Sequence, residues 1–228
     1  MRLDLEQSHV CLAKDGAEYR AKAAADILDD LRRMFAAQPM HVAGVRLHGI
    51  EALRPLLASN GAIGSIAAAV VGPDCRPVRA ILFDKTAEAN WSLAWHQDRT
   101  ICVKTRVHVE GFGPWTIKQG MHHVAPPFDL LSRMVTLRVH LDDGAEENAP
   151  LLIVPGSHKL GRIAEAQIDE VVASHGQHMC LARAGDIWLY STPIVHGSKA
   201  ASRPTRRRVL QIDFSSDALP GGLEWLGV

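Results

Sequence analysis

Trp91-Ser92-Leu93-Ala94-Trp95-His96-Gln97-Asp98 is an apolar and aromatic run that ends in a histidine and an aspartate two positions apart. Successive residues of a β-strand point to opposite faces, so His96 and Asp98 share one face. A second histidine from elsewhere would close a two-His, one-carboxylate grip on a metal such as Fe(II), with further coordination positions left open. The pattern alone says little, because the chain has 12 histidines and the same spacing recurs at His140 and Asp142. Context separates the two pairs. His140 and Asp142 run into the acidic, turn-rich segment 142–148, where an aspartate serves as a turn former. His108 with Glu110 precedes Gly111 and has no apolar strand before it.

Around this stretch the hydrophobic pattern alternates with a period of two. Strands are expected at 78–85, 93–98, 105–110, 132–141, 151–154, 177–181, 186–190 and 207–214, separated by turns such as GFGP at 111–114, APP at 125–127 and VPGSH at 154–158. Short strands with uneven loops predict a mainly β chain, a jelly roll or related double-sheet barrel. Before residue 78 the period is helical. A strand is expected at 3–12, an amphipathic helix from Asp15 to about Ala37, and two more at 50–58 and 62–71, all packed outside the barrel. The chain reads as one domain, with a mostly helical flank (1–77), a core (78–215) and an apolar tail (216–228) that covers a barrel edge or a partner subunit.

Lys+Arg and Asp+Glu both number 25 in 228 residues, which disfavours a nucleic-acid or anionic-membrane partner. At 47% hydrophobic residues the chain can bury a sizeable core. Cys11, Cys75, Cys102 and Cys180 form no C-x-x-C pair, as expected of free thiols in a reducing compartment. With no apolar leader in MRLDLEQSHV, the expectation is a soluble cytoplasmic protein.

The third ligand should come from a late strand, and His196 in TPIVHGS (192–198 with Thr192 first) follows the apolar 186–190 segment. Eleven residues later, Arg207 heads the alternating run RRVLQIDF, where Arg207, Val209, Gln211 and Asp213 share a face. A buried arginine there calls for an anion that matches its planar fork, such as a dicarboxylate. The alternative is that Arg206, Arg207 and Arg208 form a solvated basic edge.

Taken in order, WHQD (95–98), LDD followed by ENAPL (141–151), PGSHK (155–159), GD (185–186), HGS (196–198) and R-x-V-L (207–210) resemble the phytanoyl-CoA dioxygenase-like family of Fe(II)- and 2-oxoglutarate-dependent oxygenases. The resemblance covers about 80–215. It implies a double-stranded β-helix, metal ligands at His96, Asp98 and His196, and an oxoglutarate-binding arginine at Arg207 supported by the Ser198 hydroxyl. It also implies Fe(II), 2-oxoglutarate and O₂ as reagents, and hydroxylation of a small-molecule C–H bond with release of succinate and CO₂. Asp98 retains the carboxylate that halogenating relatives lack.

The remaining candidates are open. Lys85 is a candidate contact for oxoglutarate. Thr136, Arg138 and His140 share a face, and Arg138 either meets a substrate carboxylate, meets oxoglutarate, or points outward in a salt bridge. Trp115, Lys118 and His122 are candidates for the substrate, since the stretch 99–131 reads as loops at a barrel mouth; Lys118 has an exposed, solvated lysine as its alternative. His122 and His123 are adjacent, so only one can face the site. The competing reading is a cupin-like metal-binding isomerase or a non-catalytic ligand-binding barrel, which has no need for Arg207 with Ser198. A homo-oligomer is a further open possibility.

Overall fold

In the computed structural model the chain is described over residues 10–36 and 44–228. Thirteen strands are described: β1 (Ala17–Arg20), β2 (Gly44–Leu47), β3 (Arg76–Lys85), β4 (Leu93–His96), β5 (Ile101–Val103), β6 (Trp115–Lys118), β7 (Met121–Val124), β8 (Val135–His140), β9 (Leu151–Ile153), β10 (His178–Cys180), β11 (Ile187–Ser191), β12 (His196–Ser198) and β13 (Arg207–Ser215). The α-helices are α1 (Leu12–Asp15), α2 (Leu28–Met34), α3 (Arg54–Leu57), α4 (Gly64–Val71), α5 (Phe128–Ser132) and α6 (Ile168–His175). The strands form a six-stranded sheet in the order β1-β11-β8-β13-β3-β2, a four-stranded sheet β10-β9-β12-β4, and a three-stranded sheet β5-β7-β6. Neighbours within each sheet are antiparallel. This is the double-stranded β-helix expected from the sequence.

The two faces of the large sheet differ in chemistry because its strands alternate. Leu137 and Val139 of β8, Leu210, Ile212 and Phe214 of β13, Ala80 and Leu82 of β3, and Ile187 and Leu189 of β11 point outward. They pack against Leu31, Phe35, Leu53, Leu57 and Ile63, which are wholly buried. Each such side chain contributes on the order of 1.5–3 kcal/mol by leaving water, so the helices are held by one apolar layer. The opposite, inward face carries Thr136, Arg138, His140, Arg207, Gln211, Asp213, Arg79 and Lys85, all buried. Burial of that many polar groups is tolerable only with partners, and most find them in one another.

Three expectations need correction. A helix through 15–37 does not form: Gly16 adopts φ +81° and ends the first turn, and a Cβ there would lie 2.3 Å from the His158 ring. Ala17–Arg20 then joins β11 as an edge strand of the large sheet, and the helix begins only at Leu28. Asp15, the expected start of that helix, instead accepts the Cys11 amide at 2.9 Å. The flank before residue 78 therefore supplies two strands, β1 and β2, as well as helices. The strand expected at 3–12 falls mostly outside the described residues, and its described end opens α1.

No strand forms at 105–110. The free edge beyond β5 is taken by the C-terminal tail, which bridges Val103 to Trp225 and bonds Lys104 N to Glu224 O at 2.9 Å. Leu223 and Trp225 are buried there against Ile101 and Val124, so the apolar tail covers a sheet edge. The stretch 99–131, read as loops, contains the hairpin β6–β7 paired with β5.

Candidate functional site

β12 lies directly beside β4, with His196 opposite His96. The two imidazoles are 4.3 Å apart between centroids, and one ligand atom from each of His96, Asp98 and His196 lies within 4.8 Å of the others. Both rings are oriented by their backbone. His96 Nδ1 donates to Ala94 O at 2.8 Å and His196 Nδ1 to Ile194 O at 2.9 Å. That fixes the tautomer and leaves each Nε2 lone pair free to bind a metal. Burial, with His96 beside it, lowers His196 to about 4, so the ring is neutral near pH 7, the form a metal requires. The donor set of two imidazoles and a carboxylate suits a non-haem Fe(II) ion.

Asp98 is set from behind. Arg79 Nη2 donates to Asp98 Oδ2 at 3.0 Å while Arg79 Nε donates to Asp213 Oδ2 at 2.5 Å. Asp213 in turn accepts from Thr136 Oγ1 at 3.0 Å. Burial pushes the Asp98 carboxyl up, but Arg79 and the two imidazoles outweigh it and hold it below the usual range. Gln97 points the other way. Its amide donates to Gly161 O at 3.0 Å and Pro193 O at 2.9 Å and accepts from Ile163 N at 3.0 Å. Trp95 shares that outer side, packed near Val171 and Val172 of α6.

His96, Asp98 and His196 open onto a cleft of about 500 Å³, lined also by Arg46, Arg79, Ile81, Phe83, Trp91, Leu93, Lys118 and Arg138. Its inner end narrows to a pocket formed by Lys85, Arg138, Ser198 and Arg207 with Phe83, Trp91, Leu93 and Leu151. Arg207 is opposite Lys85 across the β13–β3 pairing. Arg207 Nε and Nη1, and Arg138 Nε, are buried without a partner among the described residues. Lys85 Nζ donates to Trp91 O at 2.6 Å and Lys199 O at 3.1 Å, with Ser198 Oγ at 3.5 Å. Burial, then the charges of Arg207 and Arg138, lowers Lys85 to about 8. Burial and Arg138 lower Arg207 too. Like charges gathered in a low dielectric make a socket for an anion. Neighbouring arginines turn outward instead: Arg206 pairs with Asp84 at 2.9 Å and Arg208 with Asp142 at 2.8 Å. Asp142 is thus the partner of Arg208, and its histidine neighbour, His140, is buried with neither ring nitrogen bonded.

The other sequence candidates divide. Arg138 faces inward, donating to Gln211 Oε1 at 2.7 Å with its guanidinium 5.3 Å over the Phe83 ring, so the outward salt bridge is not formed. Thr136 lies behind the site, bonded to Asp213 and Thr192, away from the cleft wall. Lys118 lines the cleft and is also exposed, as its alternative had it, but Trp115 and His122 do not line the cleft. Trp115 is opposite Val124 and packs with Ile101 on the far face of the small sheet. Alternation makes His123 the inward member of the histidine pair: it is fully buried, and burial lowers its ring to about 4, with Arg79, Arg46 and Lys118 acting in the same sense.

Arg79, Asp213 as its partner, Arg46 and Trp91 were not singled out from sequence as site residues. Arg79 had a signal, since stepping back from Lys85 by twos along β3 gives Phe83, Ile81 and Arg79. Arg46 had none, because its segment did not read as a strand.

No curated protein matches the chain by sequence. Among solved structures, EctD from S. alaskensis with 2-oxoglutarate and 5-hydroxyectoine superposes with a TM-score of 0.64 at 16% identity, covering 98% of this chain and 82% of that one. HygX from Streptomyces hygroscopicus with nickel and 2-oxoglutarate gives 0.61 at 17% identity, over 90% and 84% of the two chains. The epimerase SnoN of nogalamycin biosynthesis, with Fe³⁺ and alpha ketoglutarate, gives 0.60 at 19%, over 92% and 88%. These likenesses establish the fold. The sequence profile of Phytanoyl-CoA dioxygenase (PhyH) matches residues 21–209. The chain therefore belongs to the PhyH family of Fe(II)- and 2-oxoglutarate-dependent oxygenases.

Proposed function

We propose that the protein hydroxylates an unactivated C–H bond of a small-molecule metabolite, with His96, Asp98 and His196 holding Fe(II). The observation that carries this is the pairing of that triad with an inner pocket whose cations have no carboxylate partner among the described residues. When bound, iron with 2-oxoglutarate and O₂ supplies the oxidising power, the keto acid leaving as succinate and CO₂.

The chain's own groups do the rest. Arg207 would hold the distal carboxylate of oxoglutarate, Ser198 and Lys85 would support the same group, and Arg138 would close the side nearest the cleft. Arg79 keeps Asp98 ionised and correctly turned, while Phe83, Trp91 and Leu93, which line both the cleft and the inner pocket, would exclude water there. Thr136 acts through Asp213 and touches no reactant. We place the protein in the cytoplasm on its free cysteines, Cys75, Cys102 and Cys180 being buried and Cys11 exposed; no described helix is long and apolar enough to cross a membrane.

Anaerobic addition of Fe(II) and 2-oxoglutarate tests the reading. The wild type should develop the visible charge-transfer band of a chelated keto acid and Asp98→Ala should not, with metal affinity weakened on the order of 10²-fold or more. Metal-loaded wild type without a band would overturn it.

A further inference from the structure

At the outer end of the cleft, a second set of cations has been left without carboxylates. Five cationic side chains line the cleft, Arg46, Arg79, Arg99, Lys118 and Arg138, against the carboxylate of Asp98. Arg79 is taken by Asp98 and Asp213, Arg99 by Glu165, and Arg138 by Gln211. Arg46 has no side-chain partner among the described residues, and its Nε is buried and unbonded. Burial, then the nearby Arg79, lowers Arg46, and burial followed by Arg46 and Arg79 lowers Lys118. Lys118 therefore senses Arg46, and the Asp98 carboxylate acts on both cations in the opposite sense.

Their closeness is built in. β2 is the edge of the large sheet, and its exposed backbone would ordinarily be left to solvent. Here Gln119, at the turn between β6 and β7 with φ +50°, supplies the missing partner. Its side-chain oxygen accepts from Arg46 N at 3.0 Å and its Nε2 donates to Gly44 O at 2.9 Å. One amide thus ties the hairpin that carries Lys118 onto the strand that carries Arg46. The cleft that holds this pair and the iron-binding side chains also has apolar lining, Ile81, Phe83, Trp91 and Leu93.

Resting on the proposed function, we infer that Arg46 and Lys118 form an oxyanion clamp for the substrate, which carries a carboxylate or phosphate at one end and an apolar segment that reaches the iron. The inner cluster would hold the cosubstrate's anion and the outer pair the substrate's, so one cleft selects for two anions at opposite ends. A neutral metabolite would leave the buried Arg46 Nε without a partner.

The test uses the full chain loaded with Ni(II) and saturated with 2-oxoglutarate. It is titrated by thermal shift with C4–C12 carboxylates and alkyl phosphates, each beside its neutral amide or alcohol. Anions should bind and their neutral counterparts should not, and the better of the carboxylate and phosphate series names the class. Arg46→Gln and Lys118→Gln should each weaken the best anion about tenfold, with Arg46→Lys recovering part of the loss. 2-Oxoglutarate affinity should stay within about twofold in these variants and fall in Arg207→Gln. Equal binding of neutral partners, unchanged anion binding in Arg46→Gln, or no binding by any anion would overturn the clamp. Wild type that fails to bind 2-oxoglutarate would instead count against the proposed function, and the panel repeated without cosubstrate would still judge Arg46.

Discussion

Two charged clusters line the inner face of the large sheet, both built on β3, β8 and β13 with Asp98 added to the first from beyond β4, yet they are balanced in opposite ways. Arg79 bonds both Asp98 and Asp213 within 3.0 Å, with Thr136 satisfying the second oxygen of Asp213. Lys85, Arg138 and Arg207, a few residues along the same strands, gather cations and leave guanidinium nitrogens unbonded. A closed cluster is architecture, since removing a member strands a charge; an open one is stability withheld until a ligand arrives. The lesson is that the unsatisfied groups, not the most heavily bonded ones, point to what binds.

Substitutions should pull the two clusters apart. Arg79→Gln leaves Asp98 and Asp213 buried without their shared cation, and unfolding should be easier by about 3–5 kcal/mol; adding Asp213→Asn should restore much of the loss in a double-mutant cycle. A small effect of Arg79→Gln in chemical denaturation would deny that the closed cluster is structural. Arg207→Gln should behave in reverse. Relieved of a buried, unpaired cation, the ligand-free chain should gain on the order of 1 kcal/mol, a rise of about 2–4 °C in melting temperature. Its affinity for 2-oxoglutarate should drop by about 2–5 kcal/mol, seen as a raised KM for succinate release. Loss of both stability and affinity would make Arg207 structural.

The pH dependence is the subtler contrast. Lys85 falls from 10.5 unfolded to about 8 folded, so between those values the unfolded chain binds more protons and ligand-free stability should rise with pH from about 8 toward 10.5. The dicarboxylate complex keeps Lys85 protonated, so cosubstrate affinity should fall over the same window. Although burial and Arg138 lower Arg207, a delocalised guanidinium resists deprotonation, so Arg207 keeps its charge there. Melting curves with and without 2-oxoglutarate should therefore converge as pH rises, and Lys85→Met should remove the trend; parallel curves in the wild type would exclude Lys85 from the socket.

Much of this was legible from alternation. The period of two along 132–141 and 207–214 puts Arg138 and Arg207 on a common interior side, and it separates Arg207 from its outward neighbours Arg206 and Arg208. His96, Asp98 and His196 were readable because an apolar strand precedes each histidine. What stayed hidden depends on contacts distant in sequence. Arg46 belongs to a four-residue edge strand whose membership is conferred by β3 and by Gln119. Trp115 and His122 looked like loop residues over the cleft, whereas a hairpin turned them to its far face. Gly16 overrode an amphipathic helical pattern because its left-handed backbone stops the turn.

Gln97 deserves a different kind of reading from its neighbours, because the letter between the two ligands is not free. Its three backbone bonds bolt the outer side of the β4 end to residues 161, 163 and 193. A slip of one residue would turn His96 and Asp98 outward together, so these bonds act as a registration pin for the iron site. In sequence space, the pin makes H-Q-D a narrower word than H-x-D: at this fold position a side chain unable both to donate and to accept would leave the ligands spelled correctly and aimed wrongly.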